Sequence, residues 1–286
     1  MQSLKLIECP RDAMQGIKEF IPTEKKIEYI NSLLKVGFDT IDFGSFVNPK
    51  AIPQMAHTED VLKGLDLSST KSKLLSIVAN KRGAENASVF EEIDYLGYPF
   101  SVSETFQQRN TNASIEESFI RVEQIQNICK KSGKELVVYL SMGFGNPYGD
   151  PWSPDLVTEW CERLFSQLDI RIMALSDTIG VSNDETIRQL MTTVIPALPE
   201  VEFGAHLHTT QETFAEKVKA SVESGCFRLD GAIKGFGGCP MAKDDLTGNM
   251  PTEKMVHWLQ ENGYETGLDM EAFNKSLTLS GTVFPL

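Results

Sequence analysis

The sequence predicts an α/β protein built as one closed (β/α)8 barrel, a TIM barrel, with a short helical cap at its C-terminal end. Three observations predict it. Short runs rich in Val, Ile, Leu and Phe alternate with amphipathic stretches from one end of the chain to the other, giving eight strand–helix units. The 286 residues lie near the ~250 typical of such barrels. A doubly wound open sheet would share the alternation, but the first strand–helix junction reads ECPRDAMQG and lacks the G-x-G-x-x-G of a dinucleotide-binding half. No Pro/Ser-rich linker or composition break divides the chain. Residues 1–286 are therefore read as a single domain, with the segment from about 264 as the cap.

Strands are expected at 4–9, 39–44, 74–80, 100–104, 136–142, 170–176, 202–208 and 227–233, each too short for a helix and bounded by Gly, Pro, Asn or Asp. The helix at 23–36 puts Ile27, Ile30, Leu33 and Leu34 on one face, with Thr23 as its expected N-cap and Gly37 as its stop. A short helix near 59–65 and another at 83–92 follow. Ser114 opens S-I-E-E, a capping-box pattern, ahead of a helix running to about Lys131. The remaining helices are expected at 153–167, 183–195, 211–224 and 251–262.

Composition narrows the function. With 41% hydrophobic and 23% charged residues the chain is an ordinary globular protein, which excludes disordered and low-complexity architectures. A formal charge of −13, from 40 acids against 27 bases, argues against a nucleic-acid or anionic-membrane partner, because phosphate binding relies on Lys and Arg. The cysteines, Cys9, Cys129, Cys161, Cys226 and Cys239, are odd in number and contain no C-x-x-C, so neither a disulfide framework nor a structural zinc site is expected. The N-terminal MQSLKLIECPRDAMQ has no signal-peptide pattern, and no apolar run approaches the ~20 residues that span a bilayer. A soluble cytoplasmic protein is the expectation.

Barrel enzymes carry their chemistry at the C-terminal ends of the strands. The first strand ends in Pro10-Arg11-Asp12, the seventh in Ala205-His206-Leu207-His208, and the eighth is followed by Lys234-Gly235-Phe236-Gly237-Gly238-Cys239-Pro240 and then Thr247-Gly248-Asn249. Barrel closure makes strands seven, eight and one neighbours. His206 and His208, two of only four histidines, are spaced i, i+2 and point to the same side of their strand. With the Asp12 carboxylate and the Asn249 amide oxygen they form a mixed N/O ligand set suited to Mg²⁺ or Mn²⁺, with Zn²⁺ or Co²⁺ as alternatives. The bland alternative for H-x-H is core hydrogen bonding. Arg11, otherwise a structural ion-pair residue, is read as a fixed cation for an enolate or thioester oxygen. Cys239 follows F-G-G, whose glycines permit a mobile lid, and its thiol is read as a proton donor or acceptor.

These residues also resemble a known family. Arg11-Asp12 with Met14-Gln15, Ser45-Phe46-Val47 continuing to Pro49-Lys50 and Pro53-Gln54-Met55, SIEESF from Ser114, DTIGV from Asp177, H-x-H, GFGGCP from Gly235, and Gly248-Asn249 occur in the order found in 3-hydroxy-3-methylglutaryl-CoA lyases. The resemblance covers nearly the whole chain. It implies a (β/α)8 enzyme that cleaves 3-hydroxy-3-methylglutaryl-CoA to acetyl-CoA and acetoacetate, in leucine degradation or ketone-body metabolism. It further implies Asp12, His206, His208 and Asn249 as metal ligands, Arg11 as the enolate-stabilising cation and Cys239 as the catalytic thiol. Asp177 is then a base or a support behind the ligands, against an N-cap role for the next helix. Glu253 is an orienting group for the ligand loop, against a solvated first-turn acid. An acidic chain must attract this polyanionic acyl-CoA locally, through the metal and Arg11 aided by Lys234. A homodimer is left open.

Three departures mark a divergent member: Thr209 where the family has an acid after H-x-H, Asp42 where strand two ends in Glu, and Ala13 where Gly follows R-D. They bear on acyl specificity and leave a related 3-hydroxyacyl-CoA open as substrate. The rival is a condensing acyltransferase of the isopropylmalate-synthase kind, which shares R-D and H-x-H but lacks the cysteine loop. A 4-hydroxy-2-oxo-acid aldolase and a non-catalytic scaffold barrel stand behind it.

Overall fold

The computed structural model describes residues 4–237 and 247–284. Eight parallel strands, β1 (Lys5–Glu8), β2 (Thr40–Ser45), β3 (Lys73–Ile77), β4 (Tyr95–Ser101), β5 (Glu135–Ser141), β6 (Ile172–Asp177), β7 (Glu202–Thr209) and β8 (Arg228–Gly231), pair in sequence order, and β8 closes onto β1. Closure leaves none of these eight strands at a sheet edge. Outside lie α1 (Pro10–Gln15), α2 (Thr23–Leu33), α3 (Thr58–Lys63), α4 (Lys81–Ser88), α5 (Glu104–Thr111), α6 (Ile115–Ser132), α7 (Pro154–Leu168), α8 (Asp184–Ala197), α9 (Phe214–Glu223), α10 (Thr252–Glu261) and α11 (Met270–Val283). The expected (β/α)8 barrel is the fold.

Local chemistry explains the element ends. The Ser114 capping box forms as read: Ser114 Oγ accepts from Glu117 N–H at 3.1 Å and Glu117 Oε2 from Ser114 N–H at 2.8 Å. The Thr23 cap does not form. Pro22 occupies the cap position and Thr23 is already helical, with no side-chain cap bond. The expected strand at 100–104 is displaced to Tyr95–Ser101, because Gly97 and Pro99 read as turn residues yet lie in the strand. Pro99 lies beyond Gly97, the last residue paired with β3, where its missing N–H is not needed on that side. Ser103 then caps α5 through Phe106 N–H; the expected strand takes in this cap and Glu104, and no helix is expected over the rest of α5. The C-terminal cap is α11, started by Asp269, which accepts from Glu271 and Ala272 N–H. It packs on α2, with Phe273 edge-on to Phe38 and Phe284 edge-on to Tyr29.

The main apolar core lies between barrel and helices, and a smaller cluster of Leu75, Tyr95, Val137, Tyr139, Ile172 and Ala174 fills one side of the barrel interior. The other side is polar. Cys9, Asp42, His206, Arg228 and Asp230, from β1, β2, β7 and β8 and their ends, are all buried or nearly so. That asymmetry points the polar chemistry at one sector of the rim. A short ninth strand, β9 (Gly248–Asn249), runs antiparallel to the end of β7 and sets Asn249 opposite His208.

Candidate active site

Strand β1 hands the chain directly to α1, whose first residue is Pro10, a residue preorganised for that position. Arg11 and Asp12 therefore stand on a helical turn at the barrel mouth, one step beyond the strand end expected from sequence. Arg11 is held from two sides. Its Nε reaches Asp42 Oδ2 at 3.0 Å and its Nη2 the same oxygen at 2.5 Å, while Nη1 donates to Asp12 Oδ1 and Gln15 Oε1, both at 2.9 Å. Gln15 in turn donates to Asp12 Oδ1 at 2.8 Å. Burial works against the Arg11 charge, but Asp42 and Asp12 outweigh it and push its pKa up. Burial lifts Asp42 to about 6 despite the Arg11 pair, which still leaves it ionised at pH 7. Asp12 is held down at about 2, where Arg11, His206 and the Asn249 hydrogen bond overcome burial.

Ligand atoms of Asp12, His206 and His208 lie within 4.8 Å of one another. Asp230 Oδ2 sits 3.0 Å from His206 Nδ1, which leaves Nε2 for another partner. Burial opposes the His206 charge, yet Asp230 raises its pKa on balance. His208 goes the other way: burial and the neighbouring His206 lower it to about 4, so its ring is neutral at pH 7. Its Nδ1 is buried with no hydrogen-bond partner among the described residues. A neutral imidazole with an unspent nitrogen, a low-pKa carboxylate and a second oriented imidazole fit a divalent cation.

Asn249 adjoins the set through its amide nitrogen, which donates to Asp12 Oδ2 at 2.7 Å and to the Phe236 carbonyl at 2.8 Å. Gly237 permits this closeness. A Cβ there would fall 2.7 Å from both Asn249 Nδ2 and the Asp12 carbonyl, at a φ of +88°. Glu253 Oε2 accepts from Lys234 N–H at 2.8 Å, bracing the start of the same loop. Cys239 lies outside the described residues.

Asp177 is placed differently from a base acting on substrate. Its carboxylate is fully buried, pairs with Lys217 Nζ at 2.8 Å and accepts from Ser182 Oγ at 2.5 Å and the N–H groups of Val181 and Ser182. It is not the cap of α8 either, a position taken by Asn183. Lys217 also donates to the His208 carbonyl at 2.7 Å, so Asp177 supports β7 from behind. Asp230 and Lys217 had no role in the sequence-based expectations, and Gln15 appeared only within the Arg11-Asp12 motif. Gln15 alone had a local signal, four residues after Arg11 on one helical face.

A cavity of about 340 Å³ opens over the set, lined by Arg11, Asp12, His206 and His208 on its polar side and by Val47, Ile52, Ile77 and Phe106 on the other. Ser141, Ser176, Thr178 and Tyr139 line it as well and supply hydroxyls.

Fold and site together define a (β/α)8 barrel enzyme with a candidate divalent-metal centre at the mouth. The HMGL-like family model matches residues 5–279. A cytoplasmic 3-hydroxy-3-methylglutaryl-CoA lyase from Danio rerio is 35% identical over 93% of this chain and 79% of its own length. The crystal structure of the HMG-CoA lyase from Brucella melitensis superposes with a TM-score of 0.91 at 30% identity, covering 99% of each chain. An HMG-CoA lyase from Acinetobacter baumannii, solved with coenzyme A and 3-methylmalate, has a TM-score of 0.90 at 29% identity over 98% of this chain and 91% of that one. The chain belongs to the HMGL-like family, on the branch whose members are named hydroxymethylglutaryl-CoA lyases.

Proposed function

We propose that the protein is a carbon–carbon lyase that cleaves 3-hydroxy-3-methylglutaryl-CoA to acetyl-CoA and acetoacetate. The observation that carries this reading is the convergence of Asp12, His206 and His208 beside a fixed Arg11, in a chain of this family throughout. The condensing acyltransferase and the scaffold barrel are not favoured, since the curated relatives matched over most of the chain are named lyases.

Asp12, His206 and His208 would hold the cation, with Asn249 as the fourth residue, and Mg²⁺ or Mn²⁺ suits that set. A bound divalent cation lowers the pKa of a chelated hydroxyl, the chemistry that retro-aldol-type cleavage of a tertiary alcohol requires. Arg11 supplies the complementary charge. As the bond breaks, its electrons move onto the departing acetyl thioester, and the guanidinium, held by Asp42, is preorganised for the developing enolate oxygen. Cys239 is proposed to deliver the proton to the departing carbon from the glycine loop. Asp177 is assigned a positioning role through Lys217 and β7. The apolar wall of the cavity keeps water from the carbanionic product before protonation.

A coenzyme A thioester is the proposed substrate class, following the ligand of the Acinetobacter baumannii relative. A cytoplasmic home is supported by the free, buried thiols of Cys9, Cys129, Cys161 and Cys226. None of the described helices is long and apolar enough to cross a membrane. The test is acetoacetate release from this thioester: it should stop with chelator and return with Mg²⁺ or Mn²⁺. A combined His206→Ala, His208→Ala variant should lose metal binding by calorimetry, and unchanged affinity would remove the ligand assignment.

A further inference from the structure

Beneath the candidate metal site the barrel interior holds a second polar group that the proposed reaction does not touch. Arg228 and Asp230 alternate inward on β8, about 6.6 Å apart along the strand. Each side chain is only 1% exposed. Asp230 spends Oδ2 on His206 Nδ1 at 3.0 Å, while its Oδ1 has no hydrogen-bond partner among the described residues. Arg228 spends Nη1 on Glu202 Oε1 at 3.0 Å, with Asp39 Oδ1 at 3.8 Å, and its Nε and Nη2 have no partner among the described residues. The barrel makes room for this side chain. A Cβ at Gly204 on β7 would come within 3.1 Å of Arg228 Cδ and 3.2 Å of Cγ.

A buried polar atom left without a partner is costly, and more so on a charged group, so these two donors and one acceptor call for partners. Arg228, with two donors unspent, and Asp230, with one acceptor unspent, share the inward face of β8, and Asp230 is the strongest source of charge attraction on Arg228. Water takes two to four such partners and can bridge donors to an acceptor.

We propose that Arg228 is a positioning residue for the metal site, acting on His206 through Asp230, with ordered water bridging Arg228 Nε and Nη2 to Asp230 Oδ1. Asp230 so anchored holds the proton on His206 Nδ1 and turns the Nε2 lone pair toward Asp12 and His208. The inference rests on the reading of His206 as a metal ligand, and the test separates the two.

The test uses the full chain. Arg228→Met is combined with Glu202→Gln so that the buried cation leaves together with the carboxylate that its Nη1 hydrogen-bonds. Long-range ¹H–¹⁵N spectra of the metal-free protein report the His206 tautomer. The wild type should show a single Nδ1–H form, and the double variant a mixture of tautomers. Mn²⁺ titration followed by electron paramagnetic resonance should show affinity falling about 10-fold. Asp230→Asn should lower affinity similarly, and removing Arg228 in that background should add nothing, because the effect runs through Asp230. If the double variant does not fold, Arg228→Lys carries the same two readouts, since an ammonium cannot reproduce the two-donor bridge. An unchanged tautomer and unchanged Mn²⁺ affinity, or additive losses with Asp230→Asn, would overturn the proposal. A wild type that binds no Mn²⁺ would instead overturn the metal reading, while the tautomer comparison still judges Arg228.

Discussion

Replacing Glu8 by Gln should make the protein more stable as pH rises, reversing the usual expectation for removal of a hydrogen-bonded acid. Glu8, the last residue of β1, is fully buried. Its Oε1 accepts from Ile233 N–H at 2.8 Å and its Oε2 from Thr252 Oγ1 at 2.6 Å, tying β1 to the segments on either side of the cysteine loop. Burial lifts its pKa from 4.5 to about 8, against the two hydrogen bonds that lower it. Below pH 4.5 the carboxyl is protonated in folded and unfolded chains alike and folding carries no penalty. Between 4.5 and about 8 the unfolded chain releases the proton and the folded one retains it, so stability falls through that window and levels off above it. Moving this pKa from 4.5 to about 8, at ~1.4 kcal/mol per tenfold change in proton affinity, sets an upper bound of about 5 kcal/mol. Glutamine keeps an acceptor for Ile233 and has no proton to lose. Urea unfolding at pH 5, 6, 7 and 8 should show Glu8→Gln gaining steadily on the wild type. A stability difference independent of pH across that range would refute the reasoning.

Arg11→Lys should cut kcat by roughly 10²–10³ with little change in KM, because one ammonium cannot serve Asp42, Asp12 and the enolate oxygen together. Steady-state kinetics decide it. Gly237→Ala should lower turnover roughly 10- to 100-fold by pushing Asn249 away from Asp12, and its strained positive φ should lower the thermal midpoint as well. Lys217→Met strands the Asp177 carboxylate, whose partner is equally buried, and should cost about 3–5 kcal/mol in chemical denaturation. Cys239→Ala should abolish thioester cleavage while leaving Mn²⁺ affinity intact, and vigorous cleavage by this variant would remove the thiol from the mechanism.

What could be read from sequence was what is local. Hydrophobic period and turn residues placed seven of the eight strands, and H-x-H at i, i+2 fixed two imidazoles on one side of β7 before any coordinates. The failures share a physical cause. Gly97 and Pro99 carry turn signals that tertiary packing overrides, so β4 was displaced and Ser103, a serviceable cap, was absorbed into a strand. Asp42, Asp230 and Lys217 act through partners 31, 24 and 40 residues away, and no window along the chain contains both members of such a pair. Asp177 looked reactive because its motif was visible while Lys217, which neutralises it, was not.

The central claim is that the chain breaks the bond between C2 and C3 of its substrate. It is tested most directly by following 3-hydroxy-3-methylglutaryl-CoA labelled with ¹³C in the 3-methyl group, by NMR, with purified protein and Mn²⁺. The label should leave the thioester pool and appear only as the acetoacetate methyl, with one unlabelled acetyl-CoA formed per acetoacetate. Label recovered in the free dicarboxylic acid, or remaining in the intact thioester, would contradict the account.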